Sequence, residues 1–516
     1  MESVTLYDTT LRDGTQGQGI SFSLLDKLRI AEKLAQFGMG IIEGGWPGSN
    51  LKDLDFFREA RGRCWGRTKI AAFGSTRRAH TEISKDPQIQ TLRDADTPVV
   101  TFFGKSWKLH VTEVLGTTIE ENRAMIADTV SYFKHLNREV VYDAEHFFDG
   151  YKDNADHALG TLDAARDADV LVLCDTNGGT LPHEIEEIVR KVNELFPGRV
   201  GIHTHNDCEL GVANALAAVR AGAVQVQGTM NGYGERTGNC NLTSLIANLQ
   251  LKLKIPVVEN LSELREISLF VDELANCSPN IRAPFVGATA FAHKGGMHVN
   301  AVQKLASSYE HVKPSSVGNE QNILVSELAG QSNVLLKAER MGIPLRKGSE
   351  EVIEILRQIK DFEARGYEFE AANASFELLI RNVLGQRRPL FDLKEYHCSF
   401  RRLNTEVNLV CEATVKLSVG GVFEYTVDEG DGPVDALDKA LRKALRPFFG
   451  WMDRVRLADY KVRIIDGSRG SAARTRVLIV STDGHRTWGT VGVSDNIIAA
   501  SWLALVDSFE FYGLSV

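Results

Sequence analysis

The chain has 516 residues, of which 43% are hydrophobic and 25% are charged, and its formal net charge is −9. This length exceeds one ordinary domain, so we expect two or three domains. The acidic balance argues against a protein that binds nucleic-acid phosphates or an anionic membrane surface through basic patches. No apolar run in the sequence reaches the 18 residues that would predict a membrane-spanning helix.

The first residues, "MESVTLYDTT", form neither a basic segment nor an apolar one, so we predict no signal peptide. Seven cysteines are scattered along the chain and none forms a C-x-x-C pair. This pattern excludes a disulfide scaffold or a cysteine zinc cluster and favours a reducing compartment. We therefore expect a cytoplasmic protein.

Short apolar runs alternate with amphipathic stretches over the first 250 residues or so. Continuous apolar runs are typical of strands buried on both faces of a parallel sheet. The predicted helix at 23–38 begins at Ser23 and ends at Gly38, which matches helix-capping preferences. Eight strand–helix units predict a (β/α)₈ TIM barrel over residues 1–280, with an open doubly wound sheet as the alternative. The predicted strands are 4–8, 40–45, 69–73, 98–103, 139–145, 170–175, 200–205 and 223–231.

The pattern changes after about residue 280. Residues 281–388 are predicted to form mainly helical linker subdomains, including a helix within 349–366. Residues 389–516 are predicted to form a separate α+β domain, in which strands lead twice to a helix, at 430–445 and 492–509. We interpret this repetition as a weak internal duplication.

Polar and ionisable residues follow the predicted barrel strands. Active sites of (β/α)₈ barrels form at the carboxyl ends of the strands, so these side chains are expected to converge. This convergence is stronger evidence for a site than any single motif. The residues are Arg12, Asp13, Glu43, Glu145, Asp175, Thr176, His203, His205, Asn231 and Asn239.

"VGIHTHND" places His203 and His205 on one face of the seventh predicted strand. Two imidazoles with a carboxylate, for which Asp13 is the best candidate, suit a divalent metal that acts as a Lewis acid. An isolated H-x-H pair is more often structural, so the metal interpretation depends on the convergence with Asp13. The donor set accepts Zn²⁺, Mn²⁺, Mg²⁺ or Co²⁺.

Arg12 precedes Asp13 and offers a fixed positive charge to a substrate oxygen or carboxylate, unless the two only form a surface pair. Glu43 is a candidate substrate-binding residue or a brace for neighbouring polar side chains.

"HKGGMH" (293–298) is predicted to complete the active site from the linker region, with His298 as a general acid or base. A flexible glycine turn with exposed histidines explains the same residues. "GPVDAL" and "GVSDNI" each place small polar residues before a helix, which suits either an anionic effector or ordinary capping. The candidate effector-binding residues are Gly432, Asp435, Ser494 and Asn496.

Five ordered motifs carry a family resemblance: "LYDTTLRDGTQ", "YDAE", "CDTNGG", "HTHND" and "GYGERTGNCNL". They resemble the α-isopropylmalate, homocitrate and citramalate synthase family, which are metal-dependent TIM-barrel enzymes of acyl-CoA Claisen condensation. The resemblance extends through "FAHKGGMH" into the C-terminal domain. "EGGWPGSN" and the ending "GVSDNIIAASWLALVDSFEF" are most similar to the citramalate-forming branch.

The resemblance implies roles for particular residues. Metal ligands would be Asp13, His203 and His205, with Asn239 as a further contact. Arg12 would bind the 2-oxo acid oxygen and Thr176 its carboxylate. Glu145 would be the catalytic glutamate, and His298, with Tyr309 as its partner, would be contributed by the linker region across a dimer. The residues alone leave open whether Glu145 or His298 is the general base.

The implied reaction is an acyltransferase reaction that joins acetyl-CoA, pyruvate and water into (R)-citramalate and CoA. The C-terminal domain implies end-product feedback, with isoleucine as the expected effector and a homodimer or higher oligomer as the expected assembly. Alternatives are a 2-isopropylmalate or homocitrate synthase, a lyase similar to hydroxymethylglutaryl-CoA lyase, and a metal-binding sensor without catalysis.

Overall fold

A computed structural model of the chain describes residues 3–293, 296–323, 331–369, 371–402, 409–465 and 473–516. It divides into two compact units: Met1–Phe291 with Val312–Glu320, and Ala292–His311 with Gln321–Val516. The predicted boundaries of three domains stay predictions. Among the described residues, the helices are too short or too polar to cross a bilayer.

Eight parallel strands of the first unit close into a barrel. β1 pairs with β2 on one side and with β8 on the other, with Thr5 opposite Gln225, so no edge is left. The predicted barrel is confirmed and the open doubly wound sheet is wrong. The strands are β1 (Thr5–Asp8), β2 (Ile41–Gly45), β3 (Lys69–Ser75), β4 (Val99–Lys105), β5 (Glu139–Glu145), β6 (Val170–Asp175), β7 (Val200–Thr204) and β8 (Gln225–Gly228).

Helices surround the barrel and bury their apolar faces against the outward side chains of the strands. The first helix shows why they begin and end where they do. The Ser23 side chain accepts from the Asp26 amide, and Gly38 adopts the left-handed conformation (φ 96°) that ends the helix. The helices are α1 (Leu24–Phe37), α2 (Leu51–Ala60), α3 (Pro87–Asp94), α4 (Ile119–His135), α5 (Phe147–Asp153), α6 (Ala155–Ala164), α7 (Pro182–Leu195), α8 (Gly211–Arg220), α9 (Leu242–Leu251) and α10 (Leu264–Leu274).

The barrel interior changes from apolar to polar toward the carboxyl ends of the strands. Two strands show this change at inward-facing positions that are two residues apart. On β2, apolar Ile41 gives way to Glu43, and on β5, apolar Val141 gives way to Asp143. All four of these side chains are at most 4% exposed. The apolar layer closes the floor of the barrel, and the polar layer above it forms the base of a site.

The second unit begins with short elements: β9 (Ala292–His293), α11 (Gly296–Lys304), β10 (Asn322–Ile323), α12 (Gln331–Arg340), α13 (Glu350–Ala364) and α14 (Asn373–Val383). Two antiparallel sheets of three strands follow, each completed by a helix. This order agrees with the duplication predicted from sequence. The first repeat is β11 (Asp392–Arg402), β12 (Leu409–Val419), β13 (Val422–Gly430) and α15 (Pro433–Leu445); the second is β14 (Arg456–Ile464), β15 (Thr475–Thr482), β16 (Thr487–Ser494) and α16 (Ile497–Gly513).

Candidate active site

Three predicted ligand residues meet at the carboxyl end of the barrel. His203 Nε2 lies 3.4 Å from Asp13 Oδ2 and 3.3 Å from His205 Nε2. One donor atom from each residue lies within 4.8 Å of the other two, and all three side chains are buried. The structure therefore brings together one carboxylate oxygen from the loop after β1 and two imidazole nitrogens from the end of β7 and the residue that follows it.

The charge states of these groups suit a bound cation. Burial alone would raise the pKa of Asp13, but Arg12, His203 and His205 lower it below its usual value. Burial, followed by the neighbouring His203, lowers the pKa of His205 to about 3, so this imidazole is neutral at physiological pH. An ionised carboxylate and a neutral imidazole are the forms that ligate divalent metals.

Two unpaired buried atoms add to this fit. His205 Nδ1 and Asn239 Oδ1 have no hydrogen-bond partner among the described residues. Asn239 forms an isolated bridge with His205 and is 1% exposed. Because buried polar atoms without partners are rare, the amide oxygen of Asn239 is a further candidate donor beside the cluster.

Arg12 is held in one position beside the predicted ligands. Its Nε donates to Glu43 Oε1 at 2.5 Å, its Nη1 lies 3.3 Å from Asp13 Oδ2, and its guanidinium stacks on the Phe73 ring at 3.7 Å. Burial works against the charged form of Arg12, but Glu43 and Asp13 raise its pKa overall. The pair is therefore a buried one rather than the surface pair considered from sequence.

Glu43 lies behind Arg12 and is fully buried. Its carboxylate accepts hydrogen bonds from Tyr7 Oη and Thr9 Oγ1, each at 2.6 Å, in addition to the one from Arg12. With these contacts Glu43 acts as a brace for Arg12. Direct substrate binding by Glu43 stays a prediction.

Glu145 ends β5 and pairs with Lys105, which ends β4 directly opposite it. Glu145 lines the same cavity as Asp13 and His203. Thr176 lines this cavity as well, and its hydroxyl accepts from the His146 amide at 2.9 Å. The predicted catalytic and carboxylate-binding residues therefore share one space with the metal cluster.

The cavity holds about 210 Å³ and has one aromatic wall. Trp46 packs edge-on against Phe73 and Phe103, with ring centroids 5.7 and 5.8 Å apart, and the two phenylalanine rings stack on each other. Arg12, whose guanidinium lies on the Phe73 ring, and the Asp13–His203–His205 cluster line the same cavity. The cavity therefore offers both charged and aromatic groups to a small molecule.

His298 and Tyr309 belong to the second unit, and their rings stack at 4.3 Å. The predicted pair is thus adjacent. Two residues of the "HKGGMH" segment, 294 and 295, lie outside the described residues. The completion of the active site by this segment stays a prediction.

The four candidate effector residues lie at the starts of α15 and α16. Asn496 caps α16 by accepting from the Ile498 amide at 2.8 Å, and the Ser494 hydroxyl accepts from the Asn496 amide at 3.1 Å. Asp435 accepts from the Asp431 amide and pairs with Lys439 at 2.7 Å, and Gly432 is the residue before α15. These contacts fit ordinary capping, so effector binding stays a prediction.

Sequence reasoning missed several residues of the site. Asp143 lines the cavity and accepts from Gln227 Nε2 at 2.9 Å, while His203 Nδ1 lies 2.8 Å from Gln227 Oε1. Burial, and then the nearby Glu43, raises the pKa of Asp143 well above its usual value. Asp143 stands two residues before Glu145, so strand alternation could have identified it. Lys105 and the aromatic wall carried no comparable signal.

Comparison with protein families matches three consecutive segments. Residues 3–271 match the family described as HMGL-like, which is more than half of the chain. Residues 285–366 match the homocitrate synthase post-HMGL domain-like family. Residues 370–512 match the LeuA allosteric (dimerisation) domain.

Curated relatives match over nearly the full length. The chain is 55% identical to the (R)-citramalate synthase of Aquifex aeolicus, over 99% of this chain and 98% of that protein. It is 52% identical to the (R)-citramalate synthase of Geobacter sulfurreducens over the same shares. The 2-isopropylmalate synthase of Methanocaldococcus jannaschii is 28% identical over 99% of this chain and 94% of that protein.

Proposed function

Since this chain belongs to the family of (R)-citramalate synthases, we propose that it joins the acetyl group of acetyl-CoA to pyruvate, with water, to give (R)-citramalate and CoA. The observation that carries the proposal is the small cavity at the barrel mouth, which the Asp13–His203–His205 cluster, Arg12 and Glu145 line together with three aromatic side chains. The reaction makes the chain an acyltransferase, which agrees with its curated relatives.

We propose that Asp13, His203 and His205 hold a divalent metal, with Asn239 as a further contact. When bound, such an ion supplies Lewis-acid polarisation of the 2-oxo acid carbonyl. The neutral His205 and the ionised Asp13 are ready to ligate without losing or gaining protons at physiological pH. The donor set accepts Mn²⁺, Mg²⁺, Zn²⁺ or Co²⁺.

Arg12 would stabilise the pyruvate oxygen that gains negative charge as the carbon–carbon bond forms. Its position is fixed before substrate arrives, because Glu43, Asp13 and Phe73 all contact the guanidinium. A positive charge that needs no reorganisation contributes more to catalysis than one that must be recruited. Thr176 would hold the pyruvate carboxylate at the same mouth.

Glu145 would act as the general base that removes a proton from the acetyl methyl group. The resulting carbanion attacks the pyruvate carbonyl carbon, and water then cleaves the thioester and releases CoA. Lys105 pairs with Glu145 and keeps a positive charge next to it. His298, whose ring stacks on Tyr309, is the alternative base.

The aromatic wall supports a short 2-oxo acid. Trp46, Phe73 and Phe103 pack against one another, so their rings hold one another in place and limit the room for a substrate side chain. This observation favours pyruvate over the branched 2-oxo acid of a 2-isopropylmalate synthase. The allosteric domain matched at 370–512 favours a regulated synthase over a lyase.

We also propose isoleucine as a feedback effector and a homodimer as the assembly. The matched domain is described as both allosteric and dimerising. Its β13 strand exposes apolar side chains, with Phe423 at 67% and Tyr425 at 69% exposure, which suits a surface that another copy covers. A cytoplasmic location stays part of the proposal.

The test is release of free thiol from acetyl-CoA in the presence of Mn²⁺ and a panel of 2-oxo acids. We expect turnover with pyruvate and much less with 2-oxobutanoate, 2-oxoisovalerate or 2-oxoglutarate. Turnover of 2-oxoisovalerate without pyruvate would make the chain an isopropylmalate synthase. Cleavage of citramalyl-CoA or hydroxymethylglutaryl-CoA without condensation would make it a lyase.

A further inference from the structure

A chain of three buried polar side chains crosses the barrel interior below the metal cluster. His203 Nδ1 lies 2.8 Å from Gln227 Oε1, and Gln227 Nε2 donates to Asp143 Oδ1 at 2.9 Å. The three side chains lie on β7, β8 and β5 and are at most 5% exposed. Water therefore cannot easily replace any of these partners.

Hydrogen-bond complementarity fixes the direction of this chain. The amide nitrogen of Gln227 can only donate, and it faces a carboxylate oxygen of Asp143. Its amide oxygen can only accept, so it requires a hydrogen on His203 Nδ1. A neutral imidazole carries one N–H, which leaves a lone pair on Nε2, the nitrogen that faces Asp13 and His205.

The opposite arrangement would disable the site. With the Gln227 amide reversed, its N–H groups would face His203 Nδ1, and the ring hydrogen would then move to Nε2. A hydrogen on Nε2 would stand among the three donor atoms and prevent ligation by His203. The structure has the first arrangement: the Gln227 amide nitrogen faces Asp143 Oδ1, and the amide oxygen faces His203 Nδ1.

We propose that Gln227 is a positioning residue for the metal site and that Asp143 orients it. Gln227 holds His203 in the tautomer that presents Nε2 to the metal, although Gln227 is not among the residues that line the cavity. This inference rests on the proposed function, because it assumes that Asp13, His203 and His205 bind the metal.

Gln225 provides a matched control on the same strand. It stands two residues before Gln227, is 2% exposed, and has an amide oxygen without a hydrogen-bond partner among the described residues. Gln225→Met and Gln227→Met therefore make the same change at two buried positions of β8. Only the second removes a contact to His203.

The experiment titrates Mn²⁺ into the metal-free full-length protein by calorimetry. We expect Gln227→Met to raise the dissociation constant by about 10- to 100-fold, as for other partners of metal-bound histidines. Gln225→Met should stay within a few-fold of the wild type. With Co²⁺, the visible absorption bands of Gln227→Met should shift, because the orientation of one imidazole changes.

A double variant that exchanges the carboxylate and the amide between positions 143 and 227 tests the hydrogen bonds with little change in side-chain volume. In Asp143→Asn/Gln227→Glu, the new carboxylate accepts from His203 Nδ1–H and from the new amide at position 143, so the tautomer is retained. We expect this double variant to regain most of the Mn²⁺ affinity that Gln227→Met loses. If Gln227→Met fails to fold by circular dichroism, the double variant decides, and weak binding in it overturns the proposal.

Other outcomes distinguish failure of the role proposed for Gln227 from failure of the proposed metal site. Unchanged Mn²⁺ binding in Gln227→Met, or equal weakening in Gln225→Met, overturns the role of Gln227. Unchanged binding in His203→Ala instead overturns the metal site itself, whatever Gln227 does.

Discussion

The mouth of the barrel and the helix starts of the C-terminal domain both gather small polar and charged residues, but they use them differently. At the barrel mouth, Asp13 from the loop after β1, Glu145 from β5 and His203 from β7 converge on one cavity. In the C-terminal domain, Asp435 and Asn496 bond to backbone amides of their own helix starts. Convergence of residues from distant segments indicates a reaction site. For Asp435 and Asn496, the hydrogen bonds to nearby backbone amides already explain why polar residues stand there.

The largest expected effect is at the metal cluster. His203→Ala removes a proposed ligand and leaves Asp13 and His205 buried beside an incomplete donor set, so we expect loss of bound metal and of measurable turnover. Metal content by mass spectrometry and the thiol assay measure both. His183→Ala, on the exposed start of α7, is the control and should keep both. If the His203→Ala protein still binds metal and is active, the residues that converge at the barrel mouth are not the metal site.

The next effect concerns Glu145. Replacing a general base removes a factor of about 10² to 10⁴ in rate. We expect Glu145→Gln to lower kcat within this range with metal binding retained. The control is Glu139→Gln, at the other end of the same strand, where Glu139 pairs with Lys69. Full activity in Glu145→Gln would mean that another residue is the general base, and His298 is the candidate.

A smaller effect tests the C-terminal domain. Gly432 precedes α15 with open space around its α-carbon, so Gly432→Thr fits the fold and still caps the helix. If this helix start binds isoleucine, the added side chain should raise the concentration for half-inhibition about tenfold or more. Gly450→Thr, also in open space, is the control. Unchanged inhibition would mean that Gly432 only starts the helix. The C-terminal helix starts would then differ from the barrel mouth in having no binding role at this position.

The smallest effect concerns the folding stability that the barrel loses because the carboxylate of Asp8 is buried. Burial raises the pKa of Asp8 to about 7, although Thr10 donates two hydrogen bonds to it. Because the folded-state pKa exceeds the ordinary value of 3.8, the contribution of Asp8 favours folding at low pH and is lost as pH rises through 7. Three pKa units correspond to at most about 4 kcal/mol.

Asp8→Asn removes this titration. The melting temperature of the wild type minus that of Asp8→Asn should therefore fall by a few degrees between pH 5 and pH 8. Asp453→Asn, at an exposed carboxylate of the C-terminal domain, should show a constant difference. A difference for Asp8→Asn that also stays constant would mean that Asp8 remains ionised in the folded barrel.

The sequence was sufficient for the barrel because its strands are continuous apolar runs with clear ends. The predicted run 139–145 coincides with β5, and 170–175 with β6. Prediction was weaker at β8, where the run 223–231 contains a strand of only four residues, Gln225–Gly228. There Asn231 adopts a left-handed conformation and turns the chain, which periodicity does not indicate.

Within the site, residues with reactive side chains could be predicted and their supporting residues could not. His203 and Asp13 stand out because imidazoles and carboxylates are costly to bury. Phe73 and Phe103 look like core residues, and only the structure shows that their stacked rings, from β3 and β4, line the cavity. Lys105 becomes informative only when the register of β4 and β5 sets it opposite Glu145.

The closure of the barrel between β1 and β8 also bears on how the protein folds. Asp13 follows the first strand, whereas both histidines lie at the end of the seventh. The donor set is therefore one of the longest-range contacts in the barrel, and loop-closure entropy makes such contacts late and slow to form. A metal that binds this set adds stability only to chains whose barrel is complete, so it favours the finished fold over partly folded intermediates.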